Sequence, residues 1–461
     1  MTLIKSISGI RGTIGGQPGD GLSPLDIVRF TTAYGVWLKS SSKSEKCTVV
    51  VGRDARMSGE MVKNIVIGSL QGIGINVINI GLATTPTTEI AVVNEKADGG
   101  IILTASHNPR QWNALKLLNE KGEFLTADDG AEVLSLAEKS NFEFAEVDKL
   151  GSVTDSDIYT DFHIQHVLDL EMVDVDAIRN AKFKVAIDCV NSVGGIVLPK
   201  LLKKLGVEDV IELYVEPNGD FPHNPEPQPE NLTEISSMIK KQSADVGFVV
   251  DPDVDRLAIV NEDGSMFGEE YTLVAVADYI LSAKKGNTVS NLSSTRALSD
   301  VTVAHGGNYF MSAVGEVNVV TKMKEVDAVI GGEGNGGVIY PASHYGRDSL
   351  VGIGLFLSHL AKSGKKCSEL RAGYPEYFIS KNKIQLTPDI DVDNILLQIK
   401  EKYSDERVTD IDGVKIDFDD SWVQLRKSNT EPIIRIYAEA NTEELADNLA
   451  QKIIGDIEKL K

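Results

Sequence analysis

The strongest constraint on the fold is an order of elements that recurs along the chain: an apolar strand, a glycine turn, an amphipathic helix, a glycine and a second strand. The three rounds span residues 48–80, 185–213 and 288–313. Strands that alternate with helices in this way are typical of βαβ units, in which the strands run parallel. The repetition lies in the order of the elements rather than in the residue letters. It predicts three similar α/β domains in tandem.

The pattern changes after Pro375. Short strands are expected at 378–386, 414–418 and 421–425, with a helix after the first of them and another at the end of the chain. A chain of 461 residues is also too long for one ordinary core. We therefore predict an α/β protein of three tandem domains with mixed sheets, followed by a smaller C-terminal α+β domain. The predicted domains are 1–155, 156–257, 258–370 and 371–461.

The charge balance narrows the choice of partners. The chain has 68 acidic and 46 basic residues and a net charge of −22, which argues against a general binder of nucleic acid or of an anionic membrane, because phosphate groups require basic surfaces. An anionic ligand therefore needs a local basic pocket. The three cysteines form no C-x-x-C pair, and neither a signal peptide nor a membrane span is recognised. We expect a cytoplasmic monomer or homodimer that binds small molecules.

Three aspartates alternate directly after the apolar run 246–250, and Arg256 follows them. At about 4 Å and an effective dielectric constant near 20, two carboxylates repel by roughly 4 kcal/mol, so Asp251, Asp253 and Asp255 are expected to converge around a cation. Oxygen ligands favour magnesium, manganese or calcium over zinc. An EF-hand is excluded because Arg256 stands where that loop requires glycine. A surface turn, or a haloacid dehalogenase-like phosphatase with Asp251 as nucleophile, remains an alternative.

The glycine-rich stretch 331–337 formally contains G-x-G-x-x-G, the pattern of a dinucleotide site. The residues after this stretch are strand-like and end at Pro341, whereas pyrophosphate binding requires the loop to open a helix. The dinucleotide hypothesis is therefore rejected. Glu333 and Asn335 on this flexible backbone suit hydrogen bonds to a polyhydroxylated ligand, and a tight surface loop is the simpler alternative.

Two further stretches carry polar groups. Residues 426–435 set hydroxyl and amide side chains between two arginines, a combination that suits a phosphate monoester, although a hairpin turn with incidental charges has the same letters. No G-x-x-x-x-G-K-[ST] loop is present, which disfavours nucleotide hydrolysis. Ser106 follows the apolar run 100–103. Taken alone, its hydroxyl is explained as well by a turn or cap as by a reactive role.

Taken in order, the stretches 104–116, 251–256, 332–337 and 426–435 resemble the α-D-phosphohexomutase family over essentially the whole chain. In that family, three similar α/β domains and a smaller fourth one surround a central cleft. The resemblance implies interconversion of hexose 6-phosphates and hexose 1-phosphates through a phosphoserine and a 1,6-bisphosphate, with one Mg²⁺ per chain and hexose 1,6-bisphosphate as activator. The glycine-rich loop looks most like archaeal-type and related bacterial phosphoglucosamine mutase or phosphoglucomutase loops. Glucosamine phosphate is the expected substrate, and glucose or mannose phosphate the alternative.

The resemblance also implies a role for each residue. Ser106 is the phosphorylated residue. Because its phosphate carries a charge of about −1.5 to −2, a metal must lie between the phosphate and the three aspartates. Lys116 is the expected proton-transfer residue, and Arg11 and His107 support the transferring phosphoryl group. The metal ligands are Asp251, Asp253 and Asp255 together with the phosphate on Ser106. The substrate-binding residues are Arg256, Glu333, Asn335, Arg426, Ser428, Asn429, Thr430 and Arg435.

One departure from the family pattern matters for the chemistry. Many members carry a histidine where this chain has Gly337, so the role of that histidine is absent or is supplied elsewhere, with His344 as one candidate. Two hypotheses compete with a mutase. A metal-dependent phosphatase that uses Asp251 leaves Ser106 without a role, and a sugar-phosphate-binding regulatory protein has no need of a nucleophile.

Overall fold

The described residues form four β-sheets, which follow one another along the chain, and helices pack against each sheet. The structure is a computed structural model that describes residues 2–6, 9–42, 46–385, 391–427 and 433–459. Within these residues the sheets have seven, four, four and five strands. No helix of the described part is long and apolar enough to cross a membrane.

The first sheet is mixed and has the strand order β1-β2-β6-β5-β3-β4-β7. Its strands are β1 (Ile4–Ser6), β2 (Gly9–Thr13), β3 (Thr48–Arg53), β4 (Asn76–Leu82), β5 (Gly99–Leu103), β6 (Trp112–Leu118) and β7 (Val153–Asp155). Its helices are α1 (Pro24–Ser41), α2 (Gly59–Gly72), α3 (Thr85–Glu95) and α4 (Ala127–Lys139). The strands β3, β4, β5 and β7 pair in parallel, whereas β1, β2 and β6 add an antiparallel edge. The predicted β3-α2-β4 unit is therefore part of a larger sheet.

The second and third sheets repeat one plan, in which three parallel strands carry an antiparallel strand at one edge. The second, in the order β11-β10-β8-β9, and the third, in the order β13-β12-β14-β15, confirm the predicted similarity of these domains. The second comprises α5 (Tyr159–Leu168), α6 (Val175–Ala181), β8 (Lys184–Asp188), α7 (Gly194–Leu205), β9 (Asp209–Leu213), α8 (Thr233–Gln242), β10 (Val246–Val250) and β11 (Leu257–Asn261). The third comprises α9 (Glu269–Ala283), β12 (Asn287–Asn291), α10 (Ala297–Ala304), β13 (Tyr309–Ser312), α11 (Glu316–Glu325), β14 (Ala328–Glu333), β15 (Gly337–Ile339), α12 (Ser349–Ser363) and α13 (Cys367–Arg371).

The C-terminal sheet is antiparallel, in the order β16-β20-β19-β18-β17, and confirms the predicted α+β class. Its elements are β16 (Phe378–Gln385), α14 (Val392–Lys402), β17 (Arg407–Thr409), β18 (Val414–Asp417), β19 (Trp422–Lys427), β20 (Ile433–Ala440) and α15 (Glu443–Glu458). Its buried apolar side chains form a cluster of their own, from Ile384 to Ile457. The second and third sheets instead share one continuous core.

Three of the predicted motifs lie in loops that directly follow buried strands. Every residue of β5 and β10 is buried, as is nearly all of β14, which is expected of strands covered by helices on both faces. The loops that follow these strands carry Ser106, Asp251 and Gly334 respectively. In open α/β sheets, ligands bind outside the carboxyl ends of the strands.

Candidate functional site

The serine loop and the aspartate loop touch. Ser106 is 8% exposed, and its Oγ donates a hydrogen bond to Asp251 Oδ2 at 2.7 Å. Its backbone has a φ of 47°, a left-handed conformation that is uncommon for a residue other than glycine and costs of order 1–3 kcal/mol. Ser106 N donates to Thr104 Oγ1 at 2.9 Å, which helps to hold this conformation. No helix begins at Ser106, and its hydroxyl faces the carboxylates.

A buried arginine that the sequence analysis missed holds the serine loop in place. Arg56 is 1% exposed, and its Nε donates to Asp54 Oδ2 at 3.0 Å. The remaining guanidinium nitrogens donate to carbonyl oxygens of the loop, namely those of Ser106 at 2.5 Å, Asn108 at 2.6 Å, Pro109 at 2.8 Å and Trp112 at 3.0 Å. The available signal was the Asp-x-Arg pattern directly after strand β3, but its partners lie 50–56 residues away.

The three aspartates are buried and close together. Asp251, Asp253 and Asp255 are each 0% exposed, and one carboxylate oxygen from each lies within 4.8 Å of the others. Burial, and then the charges of Asp253 and Asp255, raise the pKa of Asp251 well above its ordinary value. The Oδ1 atoms of Asp253 and Asp255 are buried and have no hydrogen-bond partner among the described residues. Buried oxygens with unused acceptor capacity in an all-oxygen set fit a Mg²⁺ ion.

Lys116 reaches the same carboxylates from strand β6. Its Nζ lies 2.7 Å from Asp253 Oδ2 and 3.4 Å from Asp255 Oδ2. Burial opposes protonation of this amine, but Asp253 and Asp255 outweigh burial and raise the Lys116 pKa. The lysine is therefore part of the charged centre and is not a solvated side chain.

Basic side chains surround the serine. His107 Nδ1 lies 3.4 Å from Ser106 Oγ, and burial, followed by the charge of Arg256, lowers the His107 pKa well below its ordinary value. Burial, and then the charges of Arg256 and Arg435, lower the Arg11 pKa. The Nε atoms of Arg11 and Arg256 are buried without a hydrogen-bond partner in the described part of the chain. These arginines supply the local basic pocket that an acidic protein needs in order to bind an anion.

The glycine-rich loop forms the turn between β14 and β15, so no helix follows it and the structure agrees with the rejection of a dinucleotide site. Glu333 is 4% exposed and accepts hydrogen bonds from Asn291 Nδ2 at 2.8 Å and from Gly315 N at 3.2 Å. Asn335 is half-buried, and its Oδ1 accepts from Gly337 N at 3.3 Å. Hydrogen bonds from residues near the same sheet thus hold the Glu333 carboxylate in place.

Arg347, a second residue that the sequence analysis missed, joins the aspartate loop to the glycine-rich loop. Its Nη2 lies 2.7 Å from Asp255 Oδ2, its Nη1 lies 2.7 Å from Glu333 Oε2, and its Nε lies 3.1 Å from Glu316 Oε2. Burial opposes the charge, but the carboxylates of Asp255, Glu316 and Glu333 raise the Arg347 pKa well above its ordinary value. The Arg347-Asp348 pair before α12 carried no recognised signal.

The predicted phosphate clamp is described only in part. Arg426 on β19 and Arg435 on β20 are cross-strand partners, and Arg426 Nε lies 3.9 Å from Asp412 Oδ2. The predicted clamp residues Ser428, Asn429 and Thr430 lie outside the described residues. The charge of Arg435 is one of the causes that lower the Arg11 pKa, after burial and the charge of Arg256.

Comparisons with known proteins match the whole chain. Four family models, the three α/β/α domains and the C-terminal domain of phosphoglucomutase/phosphomannomutase, match residues 3–144, 161–264, 268–377 and 388–455. A phosphoglucomutase/phosphomannomutase of Thermococcus kodakarensis is 36% identical over 94% of this chain and 95% of its own length. A probable phosphoglucosamine mutase of Methanopyrus kandleri is 32% identical over 98% and 97%. The crystal structure of a phosphoglucomutase/phosphomannomutase family protein from Burkholderia thailandensis superposes with a TM-score of 0.84 at 26% identity, over 99% of this chain and 98% of that one.

Proposed function

This chain belongs to the phosphoglucomutase/phosphomannomutase family of α-D-phosphohexomutases, and we propose that it interconverts glucosamine 6-phosphate and glucosamine 1-phosphate through a phosphoserine at Ser106. The enzyme class, an isomerase that acts by phosphoryl transfer, follows from the family. The observation that carries the proposal is the 2.7 Å contact between Ser106 Oγ and Asp251 Oδ2. It supports a phosphate on the serine that shares a metal with the buried aspartates.

Asp251, Asp253 and Asp255 are proposed to hold Mg²⁺ together with an oxygen of the phosphate on Ser106. The unused buried oxygens of Asp253 and Asp255 support this assignment. When bound, the ion supplies charge stabilisation to the transferring phosphoryl group. Hexose 1,6-bisphosphate is proposed as the activator, because an enzyme that has lost its phosphate must be phosphorylated again before it can act.

In the proposed cycle, a hydroxyl of the bound hexose monophosphate attacks the phosphorus of phospho-Ser106. The bond from phosphorus to the serine Oγ breaks as the bond to the sugar oxygen forms, which gives the 1,6-bisphosphate. The bisphosphate turns over in the cleft, and its other phosphoryl group returns to the serine. In the first half-reaction one proton moves from the sugar hydroxyl to Ser106 Oγ, and in the second half-reaction a proton moves from Ser106 Oγ to the sugar oxygen that loses its phosphoryl group. Lys116 is proposed to give the proton to Oγ and to recover one from the sugar, since its amine lies 2.7 Å from Asp253 beside the serine loop.

The remaining predicted residues are proposed to bind the two ends of the substrate. Arg11, His107 and Arg256 surround the transferring phosphoryl group, and the unpartnered Nε atoms of the two arginines support this role. Glu333 and Asn335 bind sugar hydroxyls. The distal phosphate is proposed to be bound by Arg426, Ser428, Asn429, Thr430 and Arg435. Since the two sugar phosphates exchange places within one cycle, this clamp must accept either end of the bisphosphate.

The choice of glucosamine rests on the glycine-rich loop and on the Methanopyrus kandleri relative, which is named a probable phosphoglucosamine mutase. The Thermococcus kodakarensis relative is named a phosphoglucomutase/phosphomannomutase, so glucose and mannose phosphates form the second candidate. A glutamate hydrogen-bonds a ring hydroxyl in any of these sugars and therefore does not discriminate among them.

The experiment follows the 1-phosphates of glucosamine, glucose, N-acetylglucosamine and mannose in parallel by phosphorus NMR, with Mg²⁺ and a hexose 1,6-bisphosphate present. We expect the 6-phosphate of glucosamine to form fastest. A clear preference for glucose or mannose would overturn the substrate assignment and leave the mutase mechanism intact. Release of inorganic phosphate without isomerisation would instead favour the phosphatase that uses Asp251.

A further inference from the structure

Gly337, the first residue of β15, is a glycine for a reason of space. Its φ is not positive, in contrast to the φ of 83° at Gly336, so the backbone conformation at Gly337 does not itself require glycine. A Cβ at position 337 would lie 2.3 Å from Cδ of Arg347 and 3.0 Å from its Cγ. The stem of the Arg347 side chain therefore passes directly over this residue, in the volume that any side chain at 337 would need.

The Arg347 side chain crosses Gly337 and places its guanidinium group beside three carboxylates, which lie on three separate elements. Asp255 belongs to the loop after β10, Glu333 ends β14 and Glu316 begins α11. The Arg347 backbone is fixed as well, since its N–H donates to Glu316 Oε1 at 3.2 Å and the residue forms a bridge with Ile339. Loss of the guanidinium would leave these buried carboxylates without this charged partner, which is strongly unfavourable.

The geometry of the guanidinium sets the relation between the two loops. Its two Nη atoms belong to one rigid plane, and each lies 2.7 Å from a carboxylate, Nη1 from Glu333 and Nη2 from Asp255. The separation of these two carboxylates is thereby fixed. Asp255 also uses Oδ2 for Lys116, which leaves its Oδ1 as the buried oxygen without a partner among the described residues. Arg347 thus turns Asp255 so that the other oxygen is available to a cation.

We propose that Arg347 is a positioning residue, which fixes Glu333 relative to the metal-binding aspartates, and that Gly337 provides the space it requires. This inference rests on the proposed function, in which Asp255 binds the metal and Glu333 the sugar. Arg347 therefore stands where the family's histidine at position 337 would place its side chain. His344, the other candidate for that role, is instead engaged by Glu89 and Asp348, at 3.2 and 3.1 Å.

The first test compares wild type with Arg347→Lys, which keeps the charge but loses the planar fork. Residues that orient metal ligands typically change metal affinity or activity by about 10- to 100-fold when altered. We expect the Kd for Mg²⁺, measured by calorimetry, and the KM for the hexose phosphate to rise together by roughly 10-fold. Arg179→Lys, which alters an exposed arginine paired with Asp176, is the matched control and should leave both unchanged. Unchanged Mg²⁺ affinity and KM in Arg347→Lys would overturn the proposal.

The second test is a double-mutant cycle of Gly337→Ala and Arg347→Ala. Alone, Gly337→Ala should lower kcat/KM by about 10-fold, because the added methyl displaces the arginine. In the Arg347→Ala background the same change should have little effect. Additive losses would contradict a shared cause. A wild type that converts none of the four sugar phosphates would contradict the proposed function. The measurement of Mg²⁺ affinity by calorimetry needs no turnover, so it still tests the role of Arg347 in that case.

Discussion

At the scale of single residues, the cleft balances an unusual concentration of buried charge. Asp251, Asp253 and Asp255 meet with no exposure to solvent, and at about 4 Å such carboxylates repel one another by several kcal/mol. Lys116 and Arg347 offset part of this repulsion, and both use only one oxygen of each aspartate that they contact. The Oδ1 atoms of Asp253 and Asp255 remain for the proposed divalent cation, which would then stabilise the fold as well as the transferring phosphoryl group.

The metal cluster leads to a prediction about stability. Addition of Mg²⁺ should raise the Tm of the wild type, because the ion binds the folded state and relieves repulsion among the aspartates. Asp255→Asn should lose most of this rise, whereas Asp176→Asn, which alters an exposed aspartate, should retain it. Differential scanning fluorimetry with and without a chelator makes the comparison. An equal rise in all three proteins would place the ion elsewhere.

Ser106 leads to a prediction about turnover. Ser106→Ala should lower kcat by about 10³-fold or more, since the nucleophile and the phosphate carrier are lost together. Ser69→Ala is the control, because Ser69 Oγ donates to the Ile65 carbonyl within its own helix, α2. Steady-state assays and phosphopeptide mass spectrometry should give matching results. A Ser106→Ala enzyme that still turned over at the wild-type rate would rule out the serine as carrier.

The convergence of the aspartates could be predicted because their motif is local: a run of carboxylates follows directly after an apolar strand, whereas Ser106 was singled out only by the family resemblance. Arg56 and Arg347 could not be found in this way, since their partners are distant in sequence. Arg347 meets Asp255 across 92 residues and stands in no recognised pattern, and the Asp-x-Arg pattern at Arg56 does not say where its distant partners lie. Long-range ion pairs of this kind become visible only when the strands are assembled.

At the scale of elements, the site depends on loops that are fixed by hydrogen bonds from neighbouring residues. Arg56 binds the carbonyl oxygens of the serine loop after β5, and Asn291 and Gly315 bind Glu333 at the end of β14. The sequence predicted the βαβ units well because hydrophobic runs and glycines mark them. It missed β1 and β17, because three-residue strands at the edge of a sheet carry too few buried residues to form a pattern.

The serine loop gives a prediction at this scale. Arg56→Ala should destabilise the fold by about 3–5 kcal/mol, because it leaves Asp54 as an unpaired buried charge, and it should also reduce kcat. Arg56→Lys should recover part of the stability and little of the activity, since an ammonium lacks the geometry to bind four carbonyl oxygens. Urea unfolding and steady-state kinetics measure the two effects. A variant with normal kcat would show that the loop keeps its conformation without the arginine.

A buried cluster that links α3 to the residues before α12 gives a prediction about pH. His344 lies between Glu89 of α3 and Asp348, and Asp348 also meets His163 of α5 at 2.8 Å. Burial opposes protonation, but Asp348 and Glu89 raise the His344 pKa from 6.5 to about 10. Burial likewise raises the Glu89 pKa to about 8. Both shifts are upward, so the folded state binds protons more tightly than the unfolded state.

Stability from His344 is therefore fully present below about pH 6.5 and is lost as the pH rises towards about 10, by at most about 1.4 kcal/mol per pH unit for each proton. The shift at Glu89 acts in the same direction. We expect the free energy of unfolding to fall between about pH 7 and about pH 9.5 more steeply in the wild type than in His344→Gln. Urea titrations at the two values test this, and parallel losses in the two proteins would contradict the assigned pairs.

At the scale of the whole molecule, one cleft receives loops from the first three sheets, which meet through the contact of Ser106 with Asp251 and those of Arg347 with Asp255 and Glu333. The second and third sheets share a core, whereas the C-terminal sheet has its own. The predicted α/β class and the family are confirmed. The domain boundaries, the oligomeric state and the cytoplasmic location stay predictions. The second sheet includes β11 and so continues to Asn261, past the predicted boundary at residue 257, because the antiparallel return strand was not recognised in the sequence.

The most direct test of the central claim is a single turnover of enzyme phosphorylated on Ser106. The phosphorylated protein, in excess over hexose 1-phosphate, is mixed with this sugar phosphate and Mg²⁺ and quenched over time, and the phosphate is followed in protein and sugar together. Our account predicts that phosphate leaves Ser106 and appears in hexose 1,6-bisphosphate before hexose 6-phosphate accumulates. Phosphate that remained on the serine while the 6-phosphate formed, or that left as inorganic phosphate, would contradict it.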